Sequence, residues 1–169
     1  MKGNNDMSNK IHYVFFAIGI LMSSTTTAQT IDNDKNMGVM TQGLSHLGLT
    51  VTKLDQTTRF FTETLGWRLA GEKPLYPANF VTDGKMFVTL WQVSNIDSVI
   101  NFDRKNNVGL HHLALSVSSK ENLDMLHERF KTVDGLVIEF GPELNGKGPT
   151  MHMMIREPSG NRIEFAYKP

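Results

Sequence analysis

"HHLALSV", residues 111–117, restates an earlier run, "SHLGLTV", residues 45–51. Aligning the two pairs His46 with His112 at a separation of 66 residues. After each histidine, leucine and valine alternate with small or polar residues, the period of a half-buried strand. Leu47, Leu49 and Val51 share one face, matched by Leu113, Leu115 and Val117. The other face carries His46, Gly48 and Thr50, matched by His112, Ala114 and Ser116. The small residues leave space in front of each histidine.

The segment after each strand repeats as well. "KLDQTTRFFTETLGW" (53–67) reads as a helix with Asp55 as N-cap, Phe61 and Leu65 on one face, and Gly66 as its stop. "SSKENLDMLHERFKTVDG" (118–135) reads as a second, with Ser118 and Glu121 as a capping box and Gly135 as its end. Its Leu123, Leu126 and Phe130 form an apolar stripe suited to packing on a sheet. Short strand-like runs come next: Trp67–Glu72, Ala78–Thr82 and Met86–Val93, then Leu136–Glu139, Met151–Arg156 and Arg162–Tyr167. Asp83-Gly84 and "EPSGN" (157–161) mark hairpin turns. "GPELNGKGPT" (141–150) reads as a long connection. The expected fold is α+β: two βαβββ modules, about 44–93 and 110–169, joined by a bridge at 94–109 and forming a curved mixed sheet.

The segment before residue 44 has a different character. Lys2 and Lys10 flank a polar start, the apolar run Ile11–Met22 has 12 residues, and Thr26 and Ala28 are spaced as a small-x-small cleavage site. These are the three regions of a secretory signal, whereas a membrane-spanning helix needs about 20 apolar residues. The reading is a signal peptide at 1–28, a short lead at 29–43, and a periplasmic or secreted mature chain with no membrane span. Removing that signal takes two lysines and one aspartate from 17 basic and 17 acidic residues, leaving 15 and 16. No basic stripe remains to displace counterions from a nucleic acid, so that partner class is not expected. The chain has no cysteine, which excludes disulfides, thiolate metal sites and cysteine nucleophiles.

The paired modules, the histidine opening each, and "EPSGNRIEF" (157–165) together resemble the vicinal oxygen chelate superfamily over about residues 44–169. That group includes glyoxalase I, methylmalonyl-CoA epimerase, extradiol dioxygenases, fosfomycin-resistance thiol transferases and bleomycin-binding proteins. The resemblance implies a metal site with His46, His112 and Glu164 as ligands. The remaining family position falls on Thr89, where relatives of the glyoxalase type place a carboxylate or amide, so this chain departs from them. Two imidazoles and one carboxylate suit a borderline divalent ion such as iron, manganese, nickel or zinc, with positions left open for a substrate. Glu164 is then both ligand and proton acceptor.

Phe87, Thr89 and Trp91 share strand parity and are the expected substrate-pocket residues. His111 is off the register set by His46, so strand alternation turns it away from His112 and it reads as structural. His127 lies on the charged side of the second helix with Glu128 and reads as solvated, and His152, which has no repeat partner, reads as structural.

The resemblance implies one of three functions. The first is a metal-dependent lyase or isomerase of the glyoxalase/epimerase kind, acting on a small oxygenated substrate. The second is an iron-dependent extradiol-type dioxygenase. The third is a non-catalytic ligand-binding or resistance protein. In such proteins the halves pair within one chain or across a homodimer, and the sequence is compatible with both.

Overall fold

The computed structural model describes residues 39–169, and the signal-peptide reading lies outside them. The compact unit is Thr41–Pro169. Its first half runs β1 (Leu47–Val51), α1 (Leu54–Arg59), a π-helical turn (Phe60–Thr64), β2 (Arg68–Lys73), β3 (Ala78–Thr82) and β4 (Phe87–Gln92). The second runs β5 (Leu113–Ser116), α2 (Lys120–Phe130), β6 (Val137–Leu144), β7 (Met151–Arg156) and β8 (Arg162–Tyr167). A short 3₁₀ turn at Ile96–Ser98 lies in the bridge. Among the described residues no helix is long and apolar enough to cross a membrane.

Backbone hydrogen bonds close two four-stranded mixed sheets, ordered β1-β4-β3-β2 and β5-β8-β7-β6. In each, the first strand pairs parallel with the last, and the others pair antiparallel. The repeat extends to irregularities: the β2–β3 ladder shifts register between Leu69 and Gly71, and the β6–β7 ladder shifts between Ile138 and Phe140.

Alternation decides which side chains enter the core. Leu49, Val51, Val88 and Leu90 point inward from the first sheet; Met153, Ile155, Ile163 and Phe165 do so from the second. One apolar cluster contains both sets, with Phe60, Phe61, Leu123 and Phe130 from the helices. Phe130 touches both halves, its ring 5.8 Å from Phe60 and 5.0 Å from Phe165. Full burial of one such side chain stabilises by about 1.5–3 kcal/mol. The π-helical turn, closed by Leu65 N–H donating to Phe60 O at 3.1 Å, lets the neighbours Phe60 and Phe61 both be buried.

Several local expectations shift. The N-cap of α1 is Lys53, not Asp55, which lies in the first turn. The cap of α2 is Ser119, whose Oγ accepts from Asn122 N–H at 3.1 Å, one residue past the expected Ser118 box. The strand expected at Leu136–Glu139 runs on as Val137–Leu144, taking the first four residues of the expected loop into the strand. Gly66 directly follows Leu65, the C-cap of the π-helical turn, with φ of 76°, a conformation that side chains with a Cβ disfavour. Gly135 has φ of 75° but lies four residues past the C-cap Lys131, so α2 ends earlier than expected.

The "EPSGN" turn joins the halves. Fully buried Glu157 accepts from Thr57 Oγ1 at 2.6 Å, Ser159 N at 2.8 Å, Asn161 N at 3.0 Å and Asn161 Nδ2 at 2.9 Å. Lys53 N–H also donates to Ser159 Oγ.

Candidate metal and substrate site

Strand parity gathers polar side chains on the outer face of the second sheet. Ala114 lies opposite Glu164 in the β5–β8 ladder, so His112, two residues before Ala114, falls on the face of Glu164. His152 pairs with Ala166 across β7–β8 and shares that face. The side chains are in contact: His112 Nε2 is 3.0 Å from Glu164 Oε2, and His152 Nδ1 is 2.6 Å from Glu164 Oε1. Glu164 and His152 keep only 12% and 15% of their side-chain surface, and His112 keeps 32%. The ring of Phe140 backs His152 at 5.0 Å.

His111 joins from the other side, its Nδ1 2.8 Å from His112 Nδ1. This corrects the expectation that His111 turns away: it lies before β5 begins at Leu113, and its ring meets that of His112. His111 titrates below its ordinary range. Lost hydration is the main cause, followed by the positive charge of Arg162. It is therefore neutral at pH 7. An ionised Glu164 only accepts, so His152 Nδ1–H and His112 Nε2–H donate to it, and His111 Nδ1–H donates to His112 Nδ1. For His112 Nε2 to act as a metal donor its proton must leave. His111 then accepts from His112 Nδ1–H and holds the ring in the tautomer that a ligand needs.

His46 occupies in the first half the place of His112 in the second, two residues before Gly48, whose partner in β4 is Thr89. It is exposed and stands outside the His112–Glu164–His152 group. Among the described residues, no three His, Asp or Glu side chains converge as a metal-binding group. Thr89 sits at the position equivalent to Glu164, and its Oγ1 accepts from Trp91 Nε1 at 2.9 Å. Trp91 is flanked by Tyr76 at 5.0 Å and Phe80 at 6.0 Å, with Lys73 Nζ 5.4 Å from its ring centre. Phe87 follows the same parity but is 43% exposed. A cleft of about 280 Å³ lies beside β1 under the bridge, lined by Gly48, Thr50, Ile100, Phe102, Leu110 and Asn161. Phe87, Thr89 and Trp91 do not border it.

The residue that sequence reading undervalued is His152. Its first-half counterpart, opposite Trp91, is Ala78, so the repeat offered no partner for it. The usable signal was parity, because His152 and Met154 face as Glu164 does across an antiparallel pair.

His112 and Glu164 fit a divalent ion. Two ligand atoms each about 2.1 Å from an ion and at right angles lie about 3.0 Å apart. The observed Nε2–Oε2 distance is 3.0 Å.

The model of the Glyoxalase/Bleomycin resistance protein/Dioxygenase superfamily matches residues 43–165. The chain belongs to that superfamily. It is 31% identical over 132 residues to a protein named metapyrocatechase from Geobacillus stearothermophilus, covering 76% of this chain. The matched part is 38% of that relative's length. Among solved structures, a glyoxylase/bleomycin resistance protein/dioxygenase domain from Frankia is similar at a TM-score of 0.64 and 26% identity, covering 76% of this chain and 93% of that one. The fosfomycin resistance protein FosX of Listeria monocytogenes shares the fold at 0.61 and 22% identity, covering 77% of this superfamily member and 96% of FosX. A mutant of FosX is described in complex with Mn(II) and 1S,2S-dihydroxypropylphosphonic acid.

Proposed function

We propose that the chain is an exported, divalent-metal-dependent enzyme acting on a small substrate that presents two neighbouring oxygens, by lyase or isomerase chemistry. The 3.0 Å spacing of His112 Nε2 and Glu164 Oε2, matched to adjacent ligands of one ion, carries this reading. A FosX mutant, which shares this fold, is described with Mn(II), which supports a divalent ion as the metal. When bound, the ion supplies Lewis acidity toward an oxyanion that develops on the substrate.

The chain's own residues do the rest. His112 and Glu164 bind, and His111 fixes the His112 tautomer. His152 takes the substrate proton on Nε2 while passing its Nδ1 proton to Glu164 Oε1, the 2.6 Å contact. His46 is the third ligand in this reading. Since it stands apart from the other two within the chain, it reaches them from a second copy, and the working unit is a homodimer.

An iron-dependent extradiol dioxygenase is the second reading, favoured by 31% identity to metapyrocatechase. The test is turnover of metal-loaded protein with methylglyoxal–thiol adducts, fosfomycin and catechols, with dissolved oxygen recorded throughout. Conversion without oxygen uptake supports the first reading, and uptake with catechol only supports the second. No conversion of any of them by metal-loaded protein counts against both.

A further inference from the structure

Glu139 sits where β6 bulges between Ile138 and Phe140, and the bulge re-aims its side chain. Its two oxygens are occupied by two arginines: Arg156 Nε at 2.8 Å on Oε1 and Arg162 Nε at 2.7 Å on Oε2. Arg156 and Arg162 are direct partners across the β7–β8 ladder. One carboxylate therefore holds two guanidinium groups side by side and neutralises only one of them.

Each guanidinium carries five N–H donors in a planar fork, and each spends only its Nε on Glu139. No other side-chain acceptor among the described residues takes the terminal nitrogens of either. Arg162 is nonetheless 7% exposed, so a full positive charge is held in a largely dehydrated place. It lies two residues before Glu164 on the same face of β8, about 6.6 Å along the strand. Phe102 of the bridge covers one side, its ring centre 5.9 Å from the Arg156 guanidinium carbon.

We propose that Arg156 and Arg162, clamped by Glu139, form the subsite that takes an anionic oxygen-bearing group of the substrate, a carboxylate or a phosphate-like group. This rests on the reading that His112 and Glu164 hold the ion. Paired guanidinium forks match the oxygens of such a group better than ammonium groups do. The spacing along β8 lets one small molecule present its neighbouring oxygens at Glu164 and its anion at Arg162. The substrate class narrows accordingly to small hydroxy or oxo acids and their phosphate-like analogues.

The test titrates the full chain with inorganic phosphate and, separately, with acetate, followed by NMR shifts of arginine and backbone amides. The same titrations are run on Arg156→Gln and Arg156→Lys, since Arg156 is the more exposed partner and tolerates change. Mn(II) binding is measured on each protein as the independent readout. Saturable binding of either anion to the wild type, weakened at least tenfold in Arg156→Gln, supports the subsite; the tighter anion shows which group it takes. Retention of part of the affinity in Arg156→Lys assigns the effect to charge at this place. Binding that does not saturate, or that Arg156→Gln leaves unchanged, overturns it. Anion binding that depends on Arg156 in a protein that fails to bind Mn(II) sustains the subsite and defeats the metal reading alone.

Discussion

His152 Nδ1 lies 2.6 Å from Glu164 Oε1, and this contact sets the direction in which the other carboxylate oxygen points. Oε2 is thereby held toward His112 Nε2. Partners that orient a ligand in this way typically alter metal affinity by about 10–100-fold when removed. His152→Leu should therefore weaken Mn(II) binding by about that factor while circular dichroism stays native. His152→Gln, which keeps a donor, should recover part of the loss. Equal affinities in the three proteins, read by calorimetry, would remove His152 from the site.

Glu139 predicts a pH dependence of stability. Burial raises its pKa, but hydrogen bonds from Arg162 and Arg156 and their charges outweigh that, and the net shift is downward. A carboxylate depressed in the folded state stabilises fully above its unfolded pKa of about 4.3 and loses that contribution as pH falls through the folded value. Glu139→Gln should cost roughly 3 kcal/mol at pH 7, because it leaves a dehydrated Arg162 without its counter-ion. Urea melts should show the gap between wild type and variant closing below pH 4, at about the carboxylate range. A gap independent of pH would contradict the ion-pair account.

The βαβββ order, most strand positions and the two histidine-opened strands were legible because alternation and glycine stops are local signals. The site was legible only in part. Glu164 and His112 follow from the repeat, since the ladders place Thr89 and Glu164 opposite Gly48 and Ala114. His152 and Glu139 have no counterpart in the first half, where Ala78 and the bulged Ala70 stand instead, so the repeat does not reach them. The pairing of Arg162 with Glu139 depends on a bulge whose position no local pattern marks. The buried role of Glu157 was hidden for another reason, as "EPSGN" is sufficient to explain a turn by itself.

Glu157 should be among the least replaceable polar residues. Glu157→Ala removes the acceptor for Thr57 Oγ1, two backbone N–H groups and an amide, in a site with no exposure. Hydrogen bonds to a charged group contribute about 1.5–3 kcal/mol each, and not additively, so a loss of about 3 kcal/mol or more is expected. A change under about 1 kcal/mol in chemical denaturation would show that the turn does not tie the halves together.

Mixing variants tests where His46 acts. His46→Ala and His112→Ala should each fail to bind metal alone. If His46 serves the partner's site, subunits exchanged between them regenerate one intact site in each mixed dimer, about a quarter of all sites under random pairing by mass action. No recovery after verified exchange would place the complete site within one chain.

The central claim is that His112 and Glu164 share one divalent ion. Mn(II) titration of metal-free full chain, followed by electron paramagnetic resonance of the free ion, tests it most directly. One ion per chain is expected for the wild type and for His127→Ala, and at least a tenfold loss of affinity for His112→Ala and Glu164→Ala. Undiminished binding in both of those variants would contradict it.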